Sequence, residues 1–457
     1  MSQMKTKILI VGGSDAGTMA ALRIKELAPE IRPTMVLADE YPNFSICGIP
    51  FFLAREVTDY WHLAHRTRPE IEKLGLDLLT STYALSIDMA AHRCLVRNSE
   101  GAEESIVFEK LILGTGAKSI RPPIEGLDQD GVFTLRWMGE ARAIDQYIQD
   151  HHAQSVILIG GGYINMELAD GLSKRGLSVS VLEFFPSVLT TVDAEFGGLV
   201  REELERHGVK VFCGEKAASI TREGKSLAVH TASGKSLQGD LVIVCTGARP
   251  ATELAESAGA ELGEGRAIKV NQRMESSIPG LFAAGDCGET YHRVLGRNVY
   301  LPLGSTSHKQ GRIAGENALG GTREFAGTLG TQVVKIFDLI AARTGFKDSD
   351  ASPHGFSPLT WEGEYWDHKS YYPGAKKIRL RLTGDRETGK FLGVQMLGAP
   401  ETLVAKRIDA AAVALHHGAS VDDLNDLDLS YSPPLNSPWD PLQSAAQDWV
   451  RHLAETA

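Results

Sequence analysis

Apolar residues run unbroken from Ile8 to Val11 and again from Val156 to Ile159, and each run stops at glycine. Runs this short and this apolar predict strands buried on both faces. Behind each glycine turn the pattern changes to helical spacing, from Thr18 to Leu27 and from Met166 to Arg175. A second apolar run follows each helix, Thr34 to Ala38 and Ser178 to Leu182, and ends on acid: Asp39-Glu40 in the first copy, Glu183 in the second. Strand, glycine turn, helix, strand and acid is the layout of a dinucleotide-binding βαβ unit. In such a turn small residues let a pyrophosphate approach backbone N–H groups and the positive end of the helix, and the acid about 20 residues on meets a ribose hydroxyl. The turn residues are Gly12, Gly13, Ser14, Ala16 and Gly17 in the first copy, and Gly160, Gly162, Tyr163 and Ile164 in the second. Two units imply two dinucleotides, most simply one flavin and one nicotinamide.

Two more buried runs end alike, at Thr115-Gly116 and at Thr246-Gly247, each a tight exit from a nucleotide domain. A third, Leu281 to Ala284, ends at Gly285-Asp286 ahead of a helical stretch from Ser305 to Ala318. Asp286 is placed to hold the ribityl chain of a flavin, and Ser305 and Thr306 open a helix whose positive end can face the ring. Beyond about residue 323 the glycine turns stop. Leu329 to Thr344 reads as strand and helix, Lys377 to Leu382 and Phe391 to Leu397 as antiparallel strands, and Glu401 to His416 and Ser420 to Asp426 as helices. The expected fold is therefore α/β, with two Rossmann-like dinucleotide domains of the glutathione reductase type and a C-terminal α+β domain. The expected division is 1–118 and 270–322 for the flavin domain in two parts, 119–269 for the nicotinamide domain, and 323–457 for the last.

Composition narrows the partners. The chain has 457 residues and a formal net charge of -11, which disfavours nucleic acid or anionic membrane as the main partner. No apolar run reaches the ~18 residues of a membrane span, and Lys5-Thr6-Lys7 leads straight into the first strand rather than into a signal sequence. Five dispersed cysteines make no disulfide framework and no metal-ligand spacing, so a reducing, cytoplasmic setting without a bound metal is expected.

Cys47 carries the candidate chemistry. It lies about 30 residues past the first glycine turn, with no second cysteine at CxxC or CxxxxC spacing. Free cysteine is commonly a small buried hydrophobe. Beside a redox dinucleotide the other reading is a single redox thiol, reactive as its thiolate.

Several runs together resemble the single-cysteine branch of the pyridine nucleotide-disulfide oxidoreductases, which includes the coenzyme A-disulfide, persulfide and polysulfide reductases and the NADH oxidases and peroxidases. The runs are Ser45-Ile46-Cys47-Gly48-Ile49-Pro50, Gly114 to Ala117, Gly162 to Glu167, Phe282 to Asp286, Lys309 to Ala314, Tyr371 to Ala375, and Tyr431-Ser432-Pro433-Pro434 with Asp440-Pro441. The resemblance implies FAD in the first site and NADH or NADPH in the second, with Tyr163 as a gate on the nicotinamide face and Glu167 beside it. Electrons would pass from nicotinamide to flavin to Cys47, and on to a small thiol-derived disulfide, persulfide or polysulfide. It also implies a homodimer in which Tyr371, Tyr372 and Tyr431 reach the partner's cysteine site. Glu183, with no Arg or Lys in Phe184 to Ser187, favours NADH, because a 2′-phosphate would need a cation.

Three positions depart from the branch. Asp15 stands where the oxidases and peroxidases carry His, which ranks oxygen or peroxide chemistry second, because a carboxylate beside Cys47 opposes its thiolate. Asn43 and Ile46 stand where coenzyme A enzymes usually carry Ser and Asn, leaving a more apolar cysteine pocket and putting coenzyme A itself in question. Asn165 replaces the third glycine of the second turn, where a side chain would crowd the dinucleotide or add a hydrogen bond. The competing readings are an NADH oxidase or peroxidase cycling Cys47 through sulfenic acid, and a low-turnover flavin redox sensor.

Overall fold

The computed structural model describes residues 3–456, so the outermost residues of the first and last expected segments lie outside the description. The first sheet has a parallel centre of Asp77–Leu79, Thr34–Val36, Gln3–Val11 and Glu103–Leu113, extended by antiparallel Arg93–Asn98 and Thr82–Asp88. Leu281–Ala283 joins the same sheet parallel to Glu103–Leu113. Val11 and Ala283 both register on Leu113, so three carboxyl ends stop level with one another. In open α/β sheets that is where ligands bind. The central runs 8–11 and 111–113 are buried, as unbroken apolar runs require.

Helix α1 (Asp15–Leu27) leaves the first glycine turn, and helix α2 (Tyr163–Lys174) leaves the second. Helix α3 (Gly304–Ala318) packs along α1. A Cβ on Gly311 would lie 2.2 Å from the Ala16 carbonyl oxygen, and one on Gly315 2.4 Å from that of Ala20. The helices therefore touch backbone to backbone, and this contact sets the N-terminus of α3 beside the N-terminus of α1. The second sheet is wholly parallel, in the order Lys210–Cys213, Ser178–Glu183, Ser155–Ile159, Leu241–Val244, Val132–Thr134.

The C-terminal sheet is antiparallel, in the order Gln332–Ile336, Leu339–Gly345, Phe391–Gly398, Lys377–Asp385, Pro358–Trp366. The helix expected within Leu329 to Thr344 is absent: the segment is a hairpin, with Ile336 paired to Leu339 around Phe337 at positive φ. Its apolar residues fit either period in so short a run, and pairing with Phe391–Gly398 decides it. Helix α4 begins at Val404 rather than Glu401, because Leu403 adopts a left-handed conformation, and Ser420 to Asp426 holds only a short 3₁₀ turn at Asp422–Leu424. Helices α4 (Val404–His416) and α5 (Pro441–Thr456) cover this sheet, with Trp449 of α5 buried and its indole N–H donating to the Leu359 carbonyl at 2.8 Å.

Among the contacts that dock the C-terminal sheet on the second nucleotide unit, two share one carboxylate. Arg381 meets Asp193 at 2.9 Å, and the Gln395 amide donates to the same carboxylate at 2.7 Å. Within the C-terminal unit, Arg407 of α4 joins the two segments that carry the expected tyrosines. Its guanidinium donates to the Asp367 carbonyl at 2.6 Å, to Asn436 Oδ1 at 3.2 Å and to the Asp440 carboxylate, and its Nε donates to the Thr402 carbonyl. Lys369 N–H meets the Pro433 carbonyl at 3.3 Å and ties one segment to the other.

Candidate active site

A cavity of about 1030 Å³ opens where the three level strands end. Gly12, Gly13, Ser14, Asp15 and Ala16 line its floor, and Gly12 (φ 114°) tolerates no side chain, since a Cβ would lie 2.0 Å from the Gly114 carbonyl oxygen. Asp39, Thr115, Gly116, Gly285, Asp286 and Ser305 complete the first-unit wall. From the second unit come Tyr163, Ile164 and Glu167, one helical face of α2 at i, i+1 and i+4. The C-terminal sheet adds Val333 and Ala342.

Cys47 sits on a 3₁₀ turn, Ile46–Gly48, and lines the same cavity with Ile46. The turn is anchored at both ends. Asn43, at φ 54°, donates its backbone N–H to the Gly13 carbonyl at 2.9 Å and accepts from His65 N–H at 3.0 Å, and Ser45 N–H donates to Leu63. Phe44 packs edge-on to Tyr41 and stacks with Tyr60 beneath. Cys47 is exposed as a residue, yet its sulfur feels the cavity wall. Desolvation first, and then the charges of Asp15, Glu167 and Asp286, push its thiol up from the usual value, with Arg136 opposing.

Asp15 and Cys47 converge on one spot. An atom where Gly304 would carry a Cβ lies 3.7 Å from Asp15 Oδ2 and 3.9 Å from Cys47 Sγ, with no other heavy atom within 4 Å outside its chain neighbours and its own helix backbone. Asp15 Oδ1 is buried without a hydrogen-bond partner, and His308 Nε2 stands 3.8 Å from it. His308 Nδ1 bonds the Gly304 carbonyl at 2.9 Å, so Nδ1 is the donor and Nε2 faces Asp15. Burial raises the Asp15 carboxyl, while His308 and His65 pull it back down. Glu167 is pushed up to about 7 by burial and by the neighbouring Asp170.

The remaining expected residues fall elsewhere. Gly17 lies behind the turn, packed on Gly12, and Glu40 faces Arg142 outside the cavity at 3.7 Å. Thr306 is buried against Thr328. Gly160, Gly162 and Gly247 form a separate cradle at the ends of the second sheet: Gly160 and Gly247 have positive φ, and Gly162 is the open N-cap of α2. Glu183 turns inward there and accepts from the backbone N–H groups of Gly161 and Phe185. Asn165 does not crowd this cradle. Its amide donates to the carbonyls of Ile159 (3.0 Å) and Gly160 (2.7 Å), behind the turn. Tyr371, Tyr372 and Tyr431 are exposed on the C-terminal unit and do not line the cavity of their own chain.

Sequence reasoning passed over Arg136, which lines the cavity and pairs with Asp286 at 2.5 Å, and His308. Arg136 follows the edge strand Val132–Thr134 of the second sheet, where no glycine turn marks it. Its backbone N–H and that of Trp137 are held by Glu140. Away from the cavity, Glu203, His207 and Asp338 come within metal-ligand reach of one another, but Arg206 pairs with both carboxylates.

The cavity fits a flavin dinucleotide. Besides its volume and glycine floor, it presents Arg136 Nε, buried and without a partner, on a side chain paired to Asp286 near the positive end of α3. Residues 6–311 match the pyridine nucleotide-disulphide oxidoreductase family, and residues 331–441 match that family's dimerisation domain. The chain belongs to the pyridine nucleotide-disulphide oxidoreductase family. This family of enzymes depends on FAD and NAD(P)H. Among the relatives in it, the NAD(P)H coenzyme A polysulfide/persulfide reductase of Pyrococcus horikoshii is 35% identical over 96% of this chain and 97% of its own length. An NADH oxidase of Methanocaldococcus jannaschii is 32% identical over 98% and 99%. The crystal structure of reduced Bacillus anthracis CoADR-RHD superposes with a TM-score of 0.95 at 30% identity, covering 99% of this chain and 81% of that one. No helix among the described residues is long and apolar enough to cross a membrane.

Proposed function

We propose that the protein uses NADH to reduce a sulfur–sulfur bond, in a disulfide, persulfide or polysulfide, through Cys47. The observation that carries this reading is the single thiol at the cavity where both nucleotide units meet, with no second cysteine lining it. Gly12, Gly13, Ser14, Ala16, Asp39, Thr115 and Asp286 hold FAD, which when bound relays two electrons between nicotinamide and sulfur. Tyr163 and Glu167 face the nicotinamide side. Glu183 and the absence of a cation in the Phe184 to Ser187 segment favour NADH over NADPH. Residues 1–118 with 270–322 form the flavin domain, 119–269 the nicotinamide domain, and 323–457 a dimer domain. In a homodimer the exposed Tyr371, Tyr372 and Tyr431 serve the partner's Cys47, which accounts for large aromatics left in solvent on a single chain.

Cys47→Ser should abolish reduction of disulfide and polysulfide substrates while NADH still bleaches the flavin anaerobically. Intact mass of the untreated protein, read for an adduct on Cys47, identifies the sulfur partner. Full turnover by the serine variant refutes the mechanism. A second reading, NADH oxidase, is favoured by the 32% identical relative. It predicts stoichiometric water or peroxide in air at rates matching disulfide reduction.

A further inference from the structure

The space in front of Gly304 is open, and two reactive groups face it at van der Waals distance: Asp15 Oδ2 at 3.7 Å and Cys47 Sγ at 3.9 Å. A sulfur atom seated there touches both. Gly304 opens α3, and the Gly311 and Gly315 contacts with α1 hold that helix in place. The floor of the space is therefore backbone, held by a backbone-to-backbone helix contact. Asp15 also has the features of a proton carrier. It is partly buried, one oxygen has no partner, and His308, half-exposed to solvent, presents Nε2 to it.

We propose that Asp15 is the proton shuttle of thiol–disulfide exchange at Cys47, with the departing sulfur seated before Gly304 and His308 positioning the carboxylate. The inference rests on the disulfide-type reading above. In the step, the Cys47 S–H proton passes to the Asp15 carboxylate and the thiolate attacks the substrate. The Cys47–S bond to the nearer sulfur forms as the substrate S–S bond breaks, its electron pair leaving on the departing sulfur. That thiolate takes the proton back from Asp15 and leaves as a thiol. No net proton or electron enters or leaves, and the mixed disulfide on Cys47 is then the group to be reduced.

Burial raises both groups from their usual values. The charged groups acting on Asp15 are His308, His65 and Asp286, and those acting on Cys47 are Asp15, Glu167, Asp286 and Arg136. A thiol held protonated needs a base to react, and a carboxyl held up by burial can return the proton.

The test compares two disulfides on the reduced holoenzyme under anaerobic conditions. Hydroxyethyl disulfide releases an alkyl thiolate that needs a proton; nitrothiobenzoate disulfide releases an aryl thiolate that does not. Asp15→Asn is expected to slow exchange with the alkyl disulfide about 100-fold, within the usual range for acid–base catalysis. Exchange with the aryl disulfide slows less, because it loses only the base that takes the Cys47 proton and not the acid that returns it. His308→Asn moves the acidic limb of the alkyl rate to higher pH, since Asp15 loses a cation that holds its carboxyl down. Gly304→Ala fills the seat and slows both exchanges, while iodoacetamide still alkylates Cys47. Equal slowing of the two disulfides by Asp15→Asn, or no slowing of either, overturns the shuttle. Failure of the unmodified protein to exchange with either disulfide, with its flavin still bleached by NADH, instead overturns the disulfide reading itself.

Discussion

Replacing Arg407 with Met tests whether the tyrosine segments act as one rigid piece. Arg407 and Asp440 are both nearly buried, and the guanidinium also serves the Asp367 and Thr402 carbonyls and Asn436. In Arg407→Met the Asp440 carboxylate keeps only the Leu442 N–H at 2.9 Å. Removing one partner of a buried ion pair costs about 3–5 kcal/mol, because the other charge stays in the interior uncompensated. For a unit of this size that corresponds to a midpoint roughly 10 °C lower. The assay is thermal unfolding of the holoenzyme followed by tryptophan emission, with Trp449 buried in the same unit. Disulfide turnover should fall with stability while anaerobic flavin reduction by NADH keeps its rate, since the cavity's nucleotide walls are untouched. Adding Asp440→Leu removes the stranded charge and should recover most of the lost stability. An unchanged midpoint in the single variant, or no recovery in the double one, refutes the reasoning.

Glu167, held near pH 7 by burial where its ordinary value is 4.5, makes the folded state bind a proton that the unfolded chain has already lost. Stability should therefore fall as pH rises from about 4.5 to about 7, and Glu167→Gln should flatten that slope in urea titrations across the window. Asn165→Gly restores a glycine to the second turn but strips the Gly160 carbonyl of its donor and leaves that of Ile159 with only the Cys245 N–H; a loss of about 1–2 kcal/mol is expected, with NADH still bleaching the flavin. A large gain in NADH affinity would show that the side chain does obstruct the cradle.

The two nucleotide units were legible because their signals are local. An unbroken apolar run, a glycine turn and a helix lie within 20 residues of one another, and backbone geometry demands them in that order. Cys47 was legible as a lone thiol downstream of such a turn. What stayed hidden is what the third dimension assembles. His308 and Asp15 are nearly 300 positions apart and meet only because α3 lies along α1. Arg136 comes from the other nucleotide unit to reach Asp286. Asn165 marked a departure from the glycine pattern, but which way its amide turns depends on the carbonyls of the strand behind it. The hairpin at Gln332–Gly345 was misread because its residues fit either period and a distant strand supplies the pairing.

The cavity takes walls from three parts of the chain, and the second nucleotide unit contributes Arg136 together with α2, the helix that starts at the second glycine turn, where the nicotinamide dinucleotide is proposed to bind. Coenzyme choice and sulfur chemistry are thus not separable modules. Grafting a relative's nicotinamide unit to change NADH for NADPH would also import new residues at 163, 164 and 167 into the sulfur site. A swap confined to the Glu183 to Ser187 loop would leave that site as it is.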